Sequence, residues 1–247
     1  MFDLISDFFR TLYEETGWNF VIFYEEYEWS RFVDAIWVSL KLIAASLIFS
    51  VLVGVIGAWA QGSPMRWLRL VMAGYIQFFR NTPPYVQLLF FYFVVGNLTP
   101  KVDMGGYYEP LIDSFGWAVI SLSFFAGAFN VEIFRAGIEA VPTATREAAE
   151  SLGYTRLKAY LYIILPLAFR VSLPALNNNL VNLVKTTTQA YAIAVPEMLY
   201  TLNQVWSDNV NVEEMMIVLF IYYVGLVAIL VWGMHRWEKA MRVPGYG

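Results

Sequence analysis

Cysteine is absent from the 247 residues. That removes disulfide frameworks, thiolate metal sites and cysteine nucleophiles. Histidine occurs once, at His235, so no zinc constellation can assemble. No acid pair clusters on facing apolar segments, and an intramembrane enzyme therefore has no site. No G-x-x-x-x-G-K-[ST] phosphate loop is present, so any nucleotide chemistry must sit on another chain. The first thirty residues lack a basic n-region and a small-residue cleavage site and do not read as a signal peptide. Charge is scarce at 15% of residues, against roughly 25% in ordinary globular domains. What replaces it is apolar: 59% hydrophobic residues, with 9 Trp, 16 Tyr and 19 Phe. A soluble fold of this length cannot hide so much apolar surface, and disorder is excluded by the same numbers.

A helix crosses the hydrocarbon with about 20 mostly apolar residues. Met215 to Gly233 is nineteen uncharged residues, Ser114 to Val131 is eighteen, and Leu42 to Ala60 is another nineteen behind Lys41. Asn81 to Pro100 is uncharged, and Pro166 to Val184 carries Arg170 alone. The expected architecture is an all-α polytopic membrane protein with about five transmembrane helices. They fall near 33–60, 66–98 with a break near 80–84, 114–135, 164–185 and 214–234. Residues 31–247 form the transmembrane domain. Residues 1–30 form an amphipathic segment: Ile5, Phe8, Phe9 and Leu12 recur on one face, opposite Asp3, Asp7, Arg10 and Glu14. A frayed aromatic leader is the alternative for that segment.

With the N-terminus outside and the C-terminus cytoplasmic, the inside segments are 61–69, 135–170 and 233–247. They hold ten of the 16 Lys and Arg, against only Arg10, Arg31 and Lys101 in the outside segments. This asymmetry satisfies the positive-inside rule. The outside segments carry fourteen of the 20 acidic residues, so the outer face is acidic.

The longest inside segment is more than a linker. Pro142, with Thr143 or Thr145 as N-cap, opens a short helix of strong helix formers. Gly153 ends it as a left-handed C-cap. A second short helix, Tyr154 to Ile163, follows before Pro166. Such a helix–Gly–helix elbow at 142–163 suits docking. Ala148 and Ala149 permit close approach, Glu147 and Glu150 offer carboxylates, and Gly153 fixes the angle. Two interfacial helices without a partner would have the same spacing.

Glu147-Ala148-Ala149-Glu150-Ser151-Leu152-Gly153, followed by Ile164-Leu165-Pro166, resembles the EAA signature of ABC importer permeases. The likeness narrows to the polar amino-acid uptake family. Arg80-Asn81-Thr82-Pro83-Pro84 with Gln87-Leu88 resembles its Arg-Gly-Thr-Pro element. Gly127-Ala128-Phe129 and Glu132 to Ile138 resemble the ending of its third span. Leu173-Pro174, Asn178, Lys185-Thr186-Thr187 and the ending Arg242 to Gly247 continue the match. There are departures: Asn81 stands where the family has Gly, Ala144-Thr145 where it often has Gly-Gln, and Thr187-Thr188 where it has Ser-Leu. The resemblance implies the type I importer permease fold in a bacterial inner membrane. It implies a cytoplasmic ATPase dimer docked on the elbow, a second permease subunit of the same or a different sequence, and a periplasmic solute-binding protein. It implies no cofactor on this chain, with ATP and Mg bound by the partner ATPase. The function expected is import of a polar amino acid or related solute by alternating access. A subunit of a secondary transporter or channel not coupled to ATP is the alternative.

Polar residues at membrane depth are costly and are functional candidates by default. Asn178, Asn182, Lys185 and Gln189 fall at i, i+4, i+7 and i+11, one helical face with Pro174 a turn earlier. They are candidates to line a solute pathway. Interhelical amide bonding, and snorkelling of Lys185, are the structural alternatives. Arg80 sits either at headgroup level, where phosphate contact is the commoner fate, or as a buried cation near the pathway. Glu132 and Arg135, at i, i+3, are expected to pair.

Overall fold

The computed structural model describes residues 2–103 and 105–241. The family-like ending at 242–247 lies outside the described residues. Among these, helix dominates. Four helical runs are long and apolar enough to cross a membrane: Glu26–Gln61, Ser114–Glu139, Arg156–Ile193 and Val212–Met241. A shorter apolar helix covers Pro84–Leu98.

The chain opens with α1 (Phe2–Thr16). Gly17 at φ +79° closes it, its N–H donating to the Tyr13 carbonyl at 2.9 Å. On its expected apolar face Ile5, Phe9 and Leu12 are half-buried. Phe9 turns inward and stacks on Phe23 at 4.6 Å between centroids, whereas Phe8 is exposed. A 3-10 turn, Val21–Phe23, leads into α2 (Glu26–Gln61). At 1.5 Å per residue its 36 residues reach about 54 Å, well beyond a hydrocarbon core of about 30 Å.

The expected second span, 66–98 with a break near 80–84, is two helices divided within that break. The amphipathic α3 (Arg66–Asn81) stops at Thr82, whose extended backbone is what a following proline demands. After Pro83, α4 (Pro84–Phe90) runs through a π-helical turn, Phe91–Val95, into the short α5 (Gly96–Leu98). So four long helices and one shorter apolar helix stand where about five spans were expected, the shorter one between the first two long ones. A two-stranded hairpin follows, β1 (Lys101–Asp103) antiparallel to β2 (Tyr108–Pro110), with Lys101 facing Pro110 and Asp103 facing Tyr108. It is the one departure from all-helical structure among the described residues.

After the hairpin, α6 (Ser114–Glu139) and α7 (Thr143–Ser151) bracket a short link. Pro142 itself is the N-cap residue of α7, rather than Thr143 or Thr145. The second arm of the elbow is also not a separate helix. Thr155 caps α8 (Arg156–Ala159), its Oγ1 accepting from the Lys158 N–H. A π-turn, Tyr160–Ile164, then feeds directly into α9 (Leu165–Thr186). Pro166 has no N–H to give the preceding turn, and the wider π-turn just before it accommodates that without a break. A 3-10 segment, Thr187–Ile193, leads to α10 (Met198–Asn209) and α11 (Val212–Met241).

The contacts group the chain into two compact units. The first takes the described residues of 1–45, 88–119 and 184–228. Its core joins Val21, Ile22, Met198, Leu202, Val205 and Met215. Polar ties fix its edges: the Asn19 N–H donates to Glu214 at 2.8 Å, Asn211 Nδ2 donates to the Asn19 carbonyl at 2.8 Å, and Arg31 bridges Glu28 and Gln204. The second unit takes 46–87, 120–183 and 229–247, again for its described residues. It packs Ala58, Phe134, Leu176 and Leu180 together. Small residues bring its helices close, as lipid-embedded helices require when hydrophobicity no longer drives their association.

Candidate functional site

The elbow is built by its end geometry. Gly153 has φ +86°, the left-handed region that a side chain resists. Its N–H donates to the Glu150 carbonyl at 3.0 Å, and the Tyr154 N–H donates to the Ala149 carbonyl at 3.1 Å. These two bonds form a Schellman motif, which fixes the exit direction of the chain. Ala149 is buried, and Ala159 is fully buried on the second arm. Glu147, Ala148 and Glu150 stay exposed. Beside them Leu152, Leu157 and Tyr162 are exposed too, Leu152 at 79%. Arg156 reaches Glu150 at 3.7 Å across the bend. The elbow thus presents carboxylates and bare apolar side chains on one rigid, outward-turned corner.

Arg80 lies in the last turn of α3 and points at a carboxylate of this same chain. Its Nη1 lies 3.7 Å from Glu132 Oε2, and its guanidinium sits 5.4 Å from the Phe129 ring centre. Arg135 reaches the same oxygen at 3.1 Å, as its spacing predicts, and extends to Glu139 at 2.7 Å. Glu132 is therefore held between two arginines from two helices. Gln87, buried at 3% exposure, holds the break that aims Arg80. Its Nε2 donates to the Phe79 carbonyl, the Thr82 carbonyl and Thr82 Oγ1 at 3.0, 3.0 and 2.6 Å.

The asparagine cluster on α9 divides by face. Asn179 Nδ2 donates to the Ala126 carbonyl and to Asn130 Oδ1, at 2.9 and 2.8 Å. Asn177 Nδ2 donates to Glu238 at 3.2 Å. These two amides stitch helices. Asn178, Asn182 and Lys185 are on the exposed side of α9. Asn178 also lines a cavity of about 260 Å³ with Asn177, His235 and Glu238. Asn178 and Asn182 belong to the second unit, Lys185 and Gln189 to the first. The α-helical register ends at Thr186, so Gln189 sits in the 3-10 segment rather than on a continued stripe.

One buried acid had no signal in helical spacing. Glu197, 1% exposed, is the N-cap residue of α10. Its carboxylate accepts from the Leu199 and Tyr200 N–H groups at 2.9 Å each and from the Tyr223 hydroxyl at 2.8 Å. A Val-Pro pair before it and an apolar run after it are the only sequence cues. Burial raises its pKa above the ordinary 4.5, against the lowering effect of those three donors. The native chain therefore holds this proton more tightly than the unfolded one. Stability falls as pH rises from 4.5 through the raised value. Thermal unfolding of the wild type and Glu197→Gln across that range checks the sign: the wild type gains on the variant as pH is lowered. The opposite slope contradicts the burial argument.

The family model described as "Binding-protein-dependent transport system inner membrane component" matches residues 29–243. The L-cystine transport system permease protein TcyB of Bacillus subtilis (strain 168) is 34% identical over 183 residues, 74% of either chain. The glutamate/aspartate import permease protein GltJ of Escherichia coli (strain K12) is 28% identical over 238 residues, 92% of this chain and 96% of the relative. Among solved structures, an amino acid ABC transporter crystallised with histidines superposes with a TM-score of 0.75 at 26% identity. That match covers 94% of this chain and 98% of the other.

Proposed function

The chain belongs to the family of binding-protein-dependent transport system inner membrane components, and we propose that it carries a polar amino acid into the cytoplasm by alternating access. It is a multi-pass permease subunit of the inner membrane and not itself an enzyme. Transport by this family depends on a binding protein and an ATPase.

The N-terminus faces outward and the C-terminus the cytoplasm, which places the elbow at 142–163 against the ATPase dimer. A second permease subunit, alike or different, completes the pathway. ATP with Mg is bound by the ATPase, and its closure moves the elbow. The exposed side of α9 faces solute: Asn178 and Asn182 hydrogen-bond polar groups, and Lys185 meets a carboxylate. Gln189 and Arg80 are the further candidates along the route. Residues 1–30 lie on the outer interface, and 31–247 form the transmembrane domain. The relatives' names cover acidic, basic, amide and cystine solutes, whose shared feature is the α-amino acid head group.

The observation that carries this reading is the elbow, with acids and bare apolar groups held rigidly outward and no cover within the described chain. Reconstitution in liposomes with the neighbouring ATPase and binding protein tests it. The expected result is ATP-dependent uptake of an amino acid, stimulated by the loaded binding protein. Equal flux down a gradient through this chain without ATP overturns it in favour of a secondary transporter or channel.

A further inference from the structure

A cleft of about 440 Å³ in the second unit is lined by none of the residues proposed for the solute route. Arg66, Arg69, Leu70 and Ala73 of α3 line one side, and Glu132 and Arg135 of α6 the other. Three guanidinium groups face one carboxylate, and that carboxylate is already shared by Arg80 and Arg135. The cleft is net cationic.

Its depth is set by the helices that form it. Gln61, which also lines it, is the last residue of α2, and Arg135 is one turn from the end of α6. Both long apolar helices finish here, which is where lipid headgroups lie. Arg69 is held in place, its Nη1 donating to the Ser63 and Pro64 carbonyls at 2.9 and 3.2 Å. Arg66 has no ion pair among the described residues. Next to the charge the surface is apolar and bare: Trp59, Trp67, Leu70 and Val71 are each more than 60% exposed. A charged mouth beside an apolar flank matches a molecule with a phosphate head and acyl tails. It does not match a small hydrated anion, which gains nothing from the flank.

We propose that the cleft between α3 and α6 binds the phosphodiester of an anionic phospholipid through Arg66 and Arg69, with its acyl chains along Trp67, Leu70 and Val71. Guanidinium pairs with phosphate through parallel hydrogen bonds, which a lysine would not supply. The site needs membrane insertion but not import, so it stands or falls apart from the transport reading.

The test uses the full chain purified in detergent with its transporter partners, with short-chain phosphatidylglycerol as the probe. Binding is read by native mass spectrometry and by the shift in thermal unfolding midpoint. Arg66→Gln alone weakens phosphatidylglycerol about fivefold, and with Arg69→Gln about thirtyfold. Short-chain phosphatidylcholine, whose choline cation offsets the phosphate charge, binds the wild type more weakly and loses less affinity on either change. The single variant keeps the result interpretable should Arg69 be needed for the fold, because Arg66 holds nothing in place. Unchanged phosphatidylglycerol affinity in both variants overturns the proposal. So does equal stabilisation by phosphatidylcholine, or displacement of the lipid by millimolar inorganic phosphate.

Discussion

A Gly153→Pro chain inserts into the membrane, accumulates normally and transports nothing. The backbone at Gly153 has φ +86°, whereas proline locks φ near −65°. Proline also removes the N–H that donates to the Glu150 carbonyl. Both bonds of the Schellman motif are lost, since Tyr154 can no longer reach Ala149 once the turn reverses. A mismatched φ together with a lost donor costs more than about 1 kcal/mol locally. That cost falls on a run of exposed residues, 151–158, outside the packing of Ala58, Phe134, Leu176 and Leu180, so the fold survives. What changes is the direction in which α8 leaves α7, and with it the fit of the elbow to its ATPase. Glu147→Lys reaches the same phenotype by another route. Glu147 is exposed and makes no ion pair among the described residues, so reversing its charge costs the fold little and confronts a basic partner groove with a cation. Uptake assays beside membrane abundance check both variants. Normal uptake by both removes the coupling role from the elbow.

The elbow was legible because its signals are local. A proline start, a run of helix formers and a glycine stop lie within a dozen residues. The four long helices were legible for the same reason, since charge-free length needs no knowledge of neighbours. The break in the second span was equally legible, because Thr82 before Pro83-Pro84 cannot stay helical. The hairpin at 101–110 was missed because it is too short for periodicity. Its one cue is the pair Gly105-Gly106, both at positive φ, with Asp103 Oδ1 accepting from the Gly105 N–H at 2.9 Å. Long-range partners could not be read at all. Spacing pairs Glu132 with Arg135 but is silent on Arg80, fifty-two positions away. It marks a cluster of asparagines without saying that 177 and 179 bond neighbouring helices while 178 does not. Glu197 hides in the same way, because its third donor, Tyr223, comes from a different helix.

Gly137→Leu is expected to abolish accumulation of the protein rather than its activity. Here α6 and α9 approach backbone to side chain. Ser172 Oγ donates to the Ala168 carbonyl at 2.8 Å and to the Ile133 carbonyl at 3.3 Å. A Cβ on Gly137 would overlap Ser172 Oγ and stand 2.7 Å from the Ala168 carbonyl oxygen. The first obstacle is a side-chain atom that can rotate away. The second is backbone and moves only with the helix. Alanine at this position therefore loses more in contact than the roughly 1 kcal/mol it gains as a helix former. Leucine must drive the helices apart, breaking the Ser172–Ile133 bond and opening the packing around Phe134, Leu176 and Leu180. Overpacking costs about 1–3 kcal/mol in ordinary cores, and more where the obstacle is backbone. Membrane-protein stability is a few such increments. Detergent-solubilised yield and thermal unfolding order the series as wild type, then Gly137→Ala, then Gly137→Leu. Adding Ser172→Ala to Gly137→Ala restores part of the loss, because it clears the side chain but leaves the Ala168 carbonyl in place. Wild-type yield and unfolding temperature for Gly137→Leu would show that α6 and α9 do not meet there.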